Sequence, residues 1–356
     1  RKSPPTTKKV AAYGTSIIDL HETALPSMDI ADNDRGGFDV AIDQSGHLHI
    51  AAILQVVDVD QGGLRHVVYY WHNVDGAWQG NVVISSTERF YHYSINYGER
   101  NHVRIVHAPG DAIAIYYLNQ NRILMKVDPR TGLVTSLNVK CNAFDAKLNP
   151  VDYDATIVCL EYDNTNIVVK IINQQGAVSM VPLSGTYTYG DGNIEVEFVS
   201  GDVVILFKGR NTYSKTNQLI ALFRGETFIL SSGLRLEGTT NAQVENGTLW
   251  TCARDFYDQR FFLAVDFDLG KIFKYPVSFD RNIALPYSCR VHDYGRIFLQ
   301  FNSYNDHSAR INLVEFATAL PETTSYLTEM MMVKSVGNKL YVLGVDSKRV
   351  WLFAGK

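Results

Sequence analysis

The chain has 356 residues with 33 Lys and Arg against 37 Asp and Glu, and its net charge of −4 offers no chain-wide field for nucleic acid or an anionic membrane surface. A hydrophobic fraction of 46% with 20% charged residues excludes intrinsic disorder and supplies a large core. The longest apolar runs, such as NIVVKII (166–172) and DVVILF (202–207), fall far short of the ~18 residues a spanning helix needs, so no membrane insertion is expected.

In chain order, KKVAAYGTSIIDL (8–20) has strand composition but stands outside any repeating unit. The first unit opens with FDVAIDQSGHLHIAAIL (38–54), two apolar runs about a Gly-containing turn, which is a hairpin signature. The same pattern returns in VRIVHAPGDAIAIYYL (103–118), KLNPVDYDATIVCLEY (147–162), VEFVSGDVVILFKG (196–209), AQVENGTLWTCAR (242–254), CRVHDYGRIFLQFN (289–302) and MMVKSVGNKLYVLGV (331–345). Turn centres near residues 46, 110, 151, 201, 247, 295 and 337 are about 64, 41, 50, 46, 48 and 42 residues apart. After the longer first interval the spacing matches a propeller blade. A third and usually a fourth run follow each hairpin, as in RILMKVDPRTGLVTSLNV (122–139) and LIALFRGETFILSS (219–232), giving four antiparallel strands per unit.

The expectation is an all-β, seven-bladed propeller forming a single domain over 1–356. Its blades span 37–86, 100–140, 144–184, 193–232, 240–279, 286–320 and 328–356, the last completed by 8–20. Closure by an N-terminal strand would remove an exposed sheet edge. The excess of the first interval lies in STERFYHYSINYGERN (86–101), expected to be a long loop or lid. The four cysteines, Cys141, Cys159, Cys252 and Cys289, form no C-x-x-C pair and are expected to be buried thiols, with a Cys252 to Cys289 bridge as the alternative.

With the strands of a blade lettered A to D from the centre outward, the A–B and C–D turns are short and rich in Gly, Asn and Asp. The B–C and D–A connections are longer and carry aromatic and charged residues, so ligand recognition is expected on that face. The candidate ligand-binding residues are Arg35, Tyr97, Glu99, Arg100, Tyr189, Asp191, Arg254, Tyr257, Arg281, Tyr304, His307 and Arg310, with Arg210 beside them. Aromatic rings next to Asp, Asn, Arg and His suit stacking on sugar rings and hydrogen bonding to hydroxyls. Converging guanidinium groups favour a carboxylate, sulfate or phosphate on the ligand. DNDRGG and DVDQGG place Asp32, Asp34, Asp58 and Asp60 in D-x-D-x-G-G runs that would suit Ca2+, and no other cofactor is expected.

The stretch from Arg35 through HVVYYWHNVDGAW (66–78) resembles the first blade of sialidases, with Asn73, Asp75, Gly76 and Trp78 in a shortened form of their Asp-box turn. The resemblance covers about 50 residues of one blade and implies a carboxylate-gripping role for Arg35 and an acidic partner at Asp58 or Asp60. No Tyr and Glu nucleophile pair can be assigned. For glycoside hydrolysis the carboxylate candidates are Asp34, Asp58, Asp60, Glu99, Asp191, Asp255 and Asp280. For a polysaccharide lyase, His92, Tyr97, Arg100, Tyr304 and His307 qualify. His47, His49, His66 and His107 fall in strands or turns and read as structural.

Three functions remain open. The first is a module that binds a glycan or a cell-surface receptor, of the lectin or viral and phage attachment type, working extracellularly or on a virion surface. The second is a carbohydrate-active enzyme, glycosidase or lyase, acting on an acidic glycan. The third is a protein-binding scaffold. Oligomerisation is left open.

Overall fold

A computed structural model of the chain describes residues 21–28, 30, 37–58, 62–90, 102–108, 110, 112–163, 166–188, 194–234, 242–245, 247–257, 260–277, 286–291, 297–302, 309–313, 317–319, 329–336, 339–345 and 350–355. All regular structure among these residues is β, in antiparallel sheets mostly of four strands. The first sheet holds β2 to β5 (Phe38–Ile42, Leu48–Asp58, Gly63–His72, Gln79–Ser86), and the second β6 to β9 (Val103–Ala108, Ala112–Leu118, Ile123–Val127, Val134–Lys140). The third holds β10 to β13 (Ala143–Leu148, Ala155–Asp163, Asn166–Ile172, Val178–Val181). The fourth has β14 (Tyr187–Thr188) and β15 (Ile194–Val199) on the same edge of β16 (Asp202–Asn211), followed by β17 (Asn217–Phe223) and β18 (Glu226–Ser232).

The fifth sheet holds β19 to β22 (Gln243–Glu245, Thr248–Arg254, Arg260–Asp266, Lys271–Val277), and the sixth β23 to β26 (Pro286–Val291, Ile297–Asn302, Ala309–Leu313, Ala317–Ala319). The seventh sheet among the described residues joins the two ends of the chain. Here β1 (His21–Leu25) pairs with β29 (Val350–Gly355), and β29 with β28 (Lys339–Val345) and β27 (Glu329–Val336).

The inner sheets bury both faces, which explains why their strands read as near-continuous apolar runs. Along β3, Ile50, Ala52, Leu54 and Val56 enter the core shared with the terminal sheet, where they meet Leu25, Tyr341, Val350 and Leu352. The intervening Ala51 and Ile53 enter the core shared with the second sheet, beside Val103, Ile105 and Ile115. Further cores lie between the second and third sheets, the third and fourth, and the fourth and fifth. A period of two thus distributes one strand between two cores. The first strands of consecutive sheets also touch in sequence: β2 with β6, β6 with β10, β10 with β15, β15 with β19, and β23 with β27. β20 contacts β23, and β27 returns to β2. This is a β-propeller built of four-stranded antiparallel sheets.

Turn chemistry fits the strand pairing. Between β15 and β16, Ser200 and Gly201 both have positive φ (52° and 88°), as do Arg224 and Gly225 (49° and 79°) between β17 and β18, the geometry that matches strand twist in two-residue hairpins. The longer β2–β3 turn is held by Asp43, whose Oδ1 accepts from the backbone N–H groups of Ser45 (2.9 Å) and His47 (2.8 Å).

Two expectations need correction. The strand that pairs with β29 is His21–Leu25, immediately after the 8–20 stretch read from composition, which lies outside the described residues. Its register sets Leu25 opposite Val350, and both side chains are buried in one cluster. Cys141 and Cys159 are buried as expected, but they form a disulfide with a Cα–Cα distance of 5.6 Å. Their approach depends on Cys141 lying shortly before β10, which pairs with the strand holding Cys159. The side chains of Cys252 and Cys289 lie outside the described residues.

Candidate functional site

The inner strands carry charged residues at matching positions, a device the sequence reading did not single out. Asp39 on β2 accepts through Oδ2 from the Ile105 N–H of β6 at 2.9 Å. Arg104, in the corresponding place on β6, donates through Nε to Asp145 Oδ1 on β10. The second oxygen of Asp145 accepts from the Val196 N–H of β15 at 2.9 Å, so this carboxylate connects three consecutive sheets. Glu195 on β15 repeats the step, accepting from the N–H of Ala242, next to β19, at 2.6 Å. Two residues further along the same strands, Lys147 donates to Glu197.

Burial raises the Asp145 carboxyl, but the charges of Arg104 and Lys147 outweigh it and hold the group below the ordinary carboxylate range. Glu195 goes the other way. Burial, reinforced by the negative charges of Asp145 and Glu197, pushes it well above that range against the opposing charge of Lys147. Its Oε2 is the acceptor for the Ala242 N–H, while Oε1 is buried without a partner.

The B–C connections of the fourth and fifth sheets present exposed aromatic rings. At the end of β16, Asn211 Oδ1 accepts from the N–H groups of Tyr213 and Ser214, both at 3.0 Å, and the Asn211 backbone carbonyl accepts from Lys215 N–H at 3.0 Å. Thr212 is anchored to the Thr186 carbonyl at 3.0 Å through its N–H. Directly after β20, Asp255 Oδ1 accepts from the Tyr257 N–H at 2.9 Å, and the Phe256 N–H donates to the Gly233 carbonyl at 3.2 Å. The two segments, Asn211-Thr212-Tyr213 and Asp255-Phe256-Tyr257, share one construction: an Asx turn fixes the backbone and holds the tyrosine two residues later in solvent. Tyr213 is 84% exposed and Tyr257 93%, with Phe256 next to Tyr257 in the chain at 54%. The sixth unit repeats the tripeptide as Asn302-Ser303-Tyr304 at the end of β24.

Among the sequence candidates, Tyr257 lies in the connection between β20 and β21 with its ring exposed. Arg254 ends β20 opposite Arg260, and Arg310 lies on β25 opposite Phe301, so their backbones border the B–C connections of the fifth and sixth sheets. Arg210 Nε donates to the Lys215 carbonyl at 3.2 Å, which holds its head against the loop it enters. Arg35, Tyr97, Glu99, Arg100, Tyr189, Asp191, Arg281, Tyr304 and His307 lie outside the described residues, as do Asp32, Asp34 and Asp60. Asp58 is described, and its Oδ2 takes Arg65 Nε at 2.5 Å across the β3–β4 pair. That ion pair competes with a cation for the carboxylate. Sequence reading missed Tyr213, whose signal was the Asn two residues before it at a strand end.

The sialidase-like turn has a structural explanation. NVDGAW joins β4 to β5 at the C–D end, away from the B–C connections, and Asn73 Oδ1 accepts from the Leu48 N–H at 2.7 Å. Its Trp78 packs against the first core.

No family model and no curated protein matches the chain. Solved structures do resemble it in shape. A catalytically inactive variant of virginiamycin B lyase from Staphylococcus aureus, with quinupristin, aligns with TM-score 0.53 at 10% identity, covering 94% of this chain and 99% of that one. Puromycin hydrolase aligns with TM-score 0.60 at 10% identity over 95% of this chain and 54% of its own. The acylaminoacyl peptidase of Pyrococcus horikoshii aligns with TM-score 0.52 at 10% identity over 91% and 52%. This chain spans about half the length of those two hydrolases. At such identities the likeness is one of fold, and the chemistry has to be argued from this chain's own residues.

Proposed function

We propose that the protein is a binding module that recognises a glycan, free or on a cell-surface receptor, through the B–C and D–A connections of its propeller. The observation that carries this reading is the repeated Asx-turn tyrosine. Exposed aromatic rings cost solvation free energy, and their fixing on rigid turns in neighbouring sheets provides flat apolar platforms with a hydrogen-bonding hydroxyl at the rim. The CH-rich faces of sugar rings suit such platforms, and Arg254, Arg281 and Arg310 belong to the same proposal as partners for an acidic substituent. The repeat across the fourth, fifth and sixth units supports several weak subsites acting together. A ring of seven blades closed by His21–Leu25 is the frame of this reading. An extracellular placement belongs to it too, supported by the Cys141–Cys159 disulfide, since such bonds persist in oxidising compartments.

The test is a glycan array with the intact chain, followed by Tyr213→Ala and Tyr257→Ala. Loss of about 1 kcal/mol or more per ring, roughly fivefold in affinity, is expected at each position. Glycan binding unchanged in both variants would refute the site.

A second reading is favoured by Glu195. A buried carboxyl held well above its ordinary range on an inner strand has the property of a general acid, so an acidic-glycan hydrolase or lyase is the alternative. New reducing ends or unsaturated uronates released from acidic polysaccharides, and abolished in Glu195→Gln, would establish turnover and demote the binding reading.

A further inference from the structure

At the opposite end of the first two sheets, side chains of three segments converge. Asp43 comes from the β2–β3 turn, His49 from β3, and His107 from β6 of the neighbouring sheet. One ligating atom from each lies within 4.8 Å of the other two. His49 and His107 are buried and their rings stack at 5.6 Å between centroids with 19° between planes. His49 Nε2 is 3.5 Å from Asp43 Oδ2, and His47 Nδ1 lies 2.9 Å from the same oxygen at the partly exposed side of the cluster.

We infer that Asp43, His49 and His107 form a binding site for a Zn2+-class divalent ion that links the first sheet to the second. Two imidazoles and a carboxylate are a three-ligand set for zinc, with the fourth position left to water or to His47 at the exposed side. The spacing is suitable. Bonds of about 2.0–2.1 Å in tetrahedral geometry set neighbouring ligand atoms about 3.3–3.4 Å apart, and the Asp43–His49 pair already stands at 3.5 Å. The outer shell is also in place. His49 Nδ1 is 2.8 Å from the Tyr70 hydroxyl, which fixes the ring so that Nε2 faces Asp43, the way second partners orient a ligating imidazole.

This site is separate from the exposed-tyrosine face and stands or falls independently of the glycan reading. It also differs in ion class from a Ca2+ site at the acidic turns, because imidazole selects borderline ions whereas calcium selects oxygen.

The experiment uses the intact chain stripped of metal with a chelator and dialysed. Titration calorimetry with Zn2+ is expected to give one tight site per chain, and Tm is expected to rise by about 4 °C at a hundredfold excess over Kd. Co2+ in place of zinc is expected to give the intense visible absorption of a tetrahedral centre, and X-ray absorption at the loaded metal is expected to show two imidazoles. His49→Gln and His107→Gln keep side-chain bulk, and each is expected to weaken binding by at least the ten- to hundredfold that loss of even an outer-shell partner costs. No heat and no Tm change at millimolar Zn2+, or a one-to-one site unaltered in both variants, overturns the inference. Should either variant fail to fold, the X-ray absorption of the wild-type chain decides, and an all-oxygen shell counts against the site.

Discussion

Replacing Asp145 by Ala removes a carboxylate that is 3% exposed and holds together the second, third and fourth sheets. Arg104, 6% exposed, would keep its charge in the core without its Asp145 partner, and loss of one member of a buried pair costs about 3–5 kcal/mol. The Val196 N–H loses its acceptor as well, adding about 1 kcal/mol. The sum is about 4–6 kcal/mol. With an unfolding entropy of about 2.1 cal/mol/K per residue, ~0.75 kcal/mol/K for 356 residues, Tm should fall by about 5–8 °C. Removing both charges in Arg104→Met with Asp145→Leu leaves no uncompensated ion and should recover to within about 1–2 kcal/mol of the wild type. A double-mutant cycle over Arg104→Met and Asp145→Leu, run beside Asp145→Ala by calorimetry and urea unfolding, measures both quantities. The reasoning fails if Asp145→Ala loses under about 1 kcal/mol, or if the double variant is no more stable than the single one.

Glu195→Gln should gain stability over the wild type as pH rises. The carboxyl is raised in the folded state, so its stabilising protonation is complete below the ordinary carboxylate value and is lost as pH climbs toward the raised one. The Tm difference between variant and wild type should widen over that window, and parallel Tm–pH curves would contradict it. Reducing the Cys141–Cys159 disulfide, which closes an 18-residue interval, should cost about 3 kcal/mol and lower Tm by about 4 °C under non-alkylating reduction. Gly80→Ala should destabilise by about 1–3 kcal/mol, read by urea midpoint, because the added methyl would stand 2.5 Å from Trp71 Cδ1 and 2.9 Å from Tyr69 Cε1. A midpoint unchanged from wild type would show that Trp71 can move, although its Nε1 donates to the Pro26 carbonyl at 2.7 Å.

The strand order within most sheets was legible in the sequence because consecutive strands pair, the terminal sheet that joins β1 to β29 being the exception. Each hairpin has its turn residues next to its strands, and the repeat interval of the turn centres reported the blade size before any long-range contact was known. The tyrosines at the B–C connections were also readable in principle. Asn or Asp two residues before Tyr at a strand end is a local backbone device at Asn211 and Asp255, and the same residue order stands in the sequence at Asn302. Only its repetition was overlooked, and Tyr213 with it.

Tertiary structure decided whatever depends on pairing between units. That His21–Leu25 meets Val350–Gly355 does not follow from composition, since HETAL has only Ala24 and Leu25 as apolar residues; it is settled by burial of Leu25 against Val350 and Leu352. The same holds for Cys141 with Cys159, for Asp145 between Arg104 and Val196, and for Asp43 with His49 and His107. Local sequence determines turns and periodicity through φ, ψ and side-chain alternation. Which charges, thiols and imidazoles face each other is determined by the packing of one sheet on the next, and that is a property of the assembled sheets.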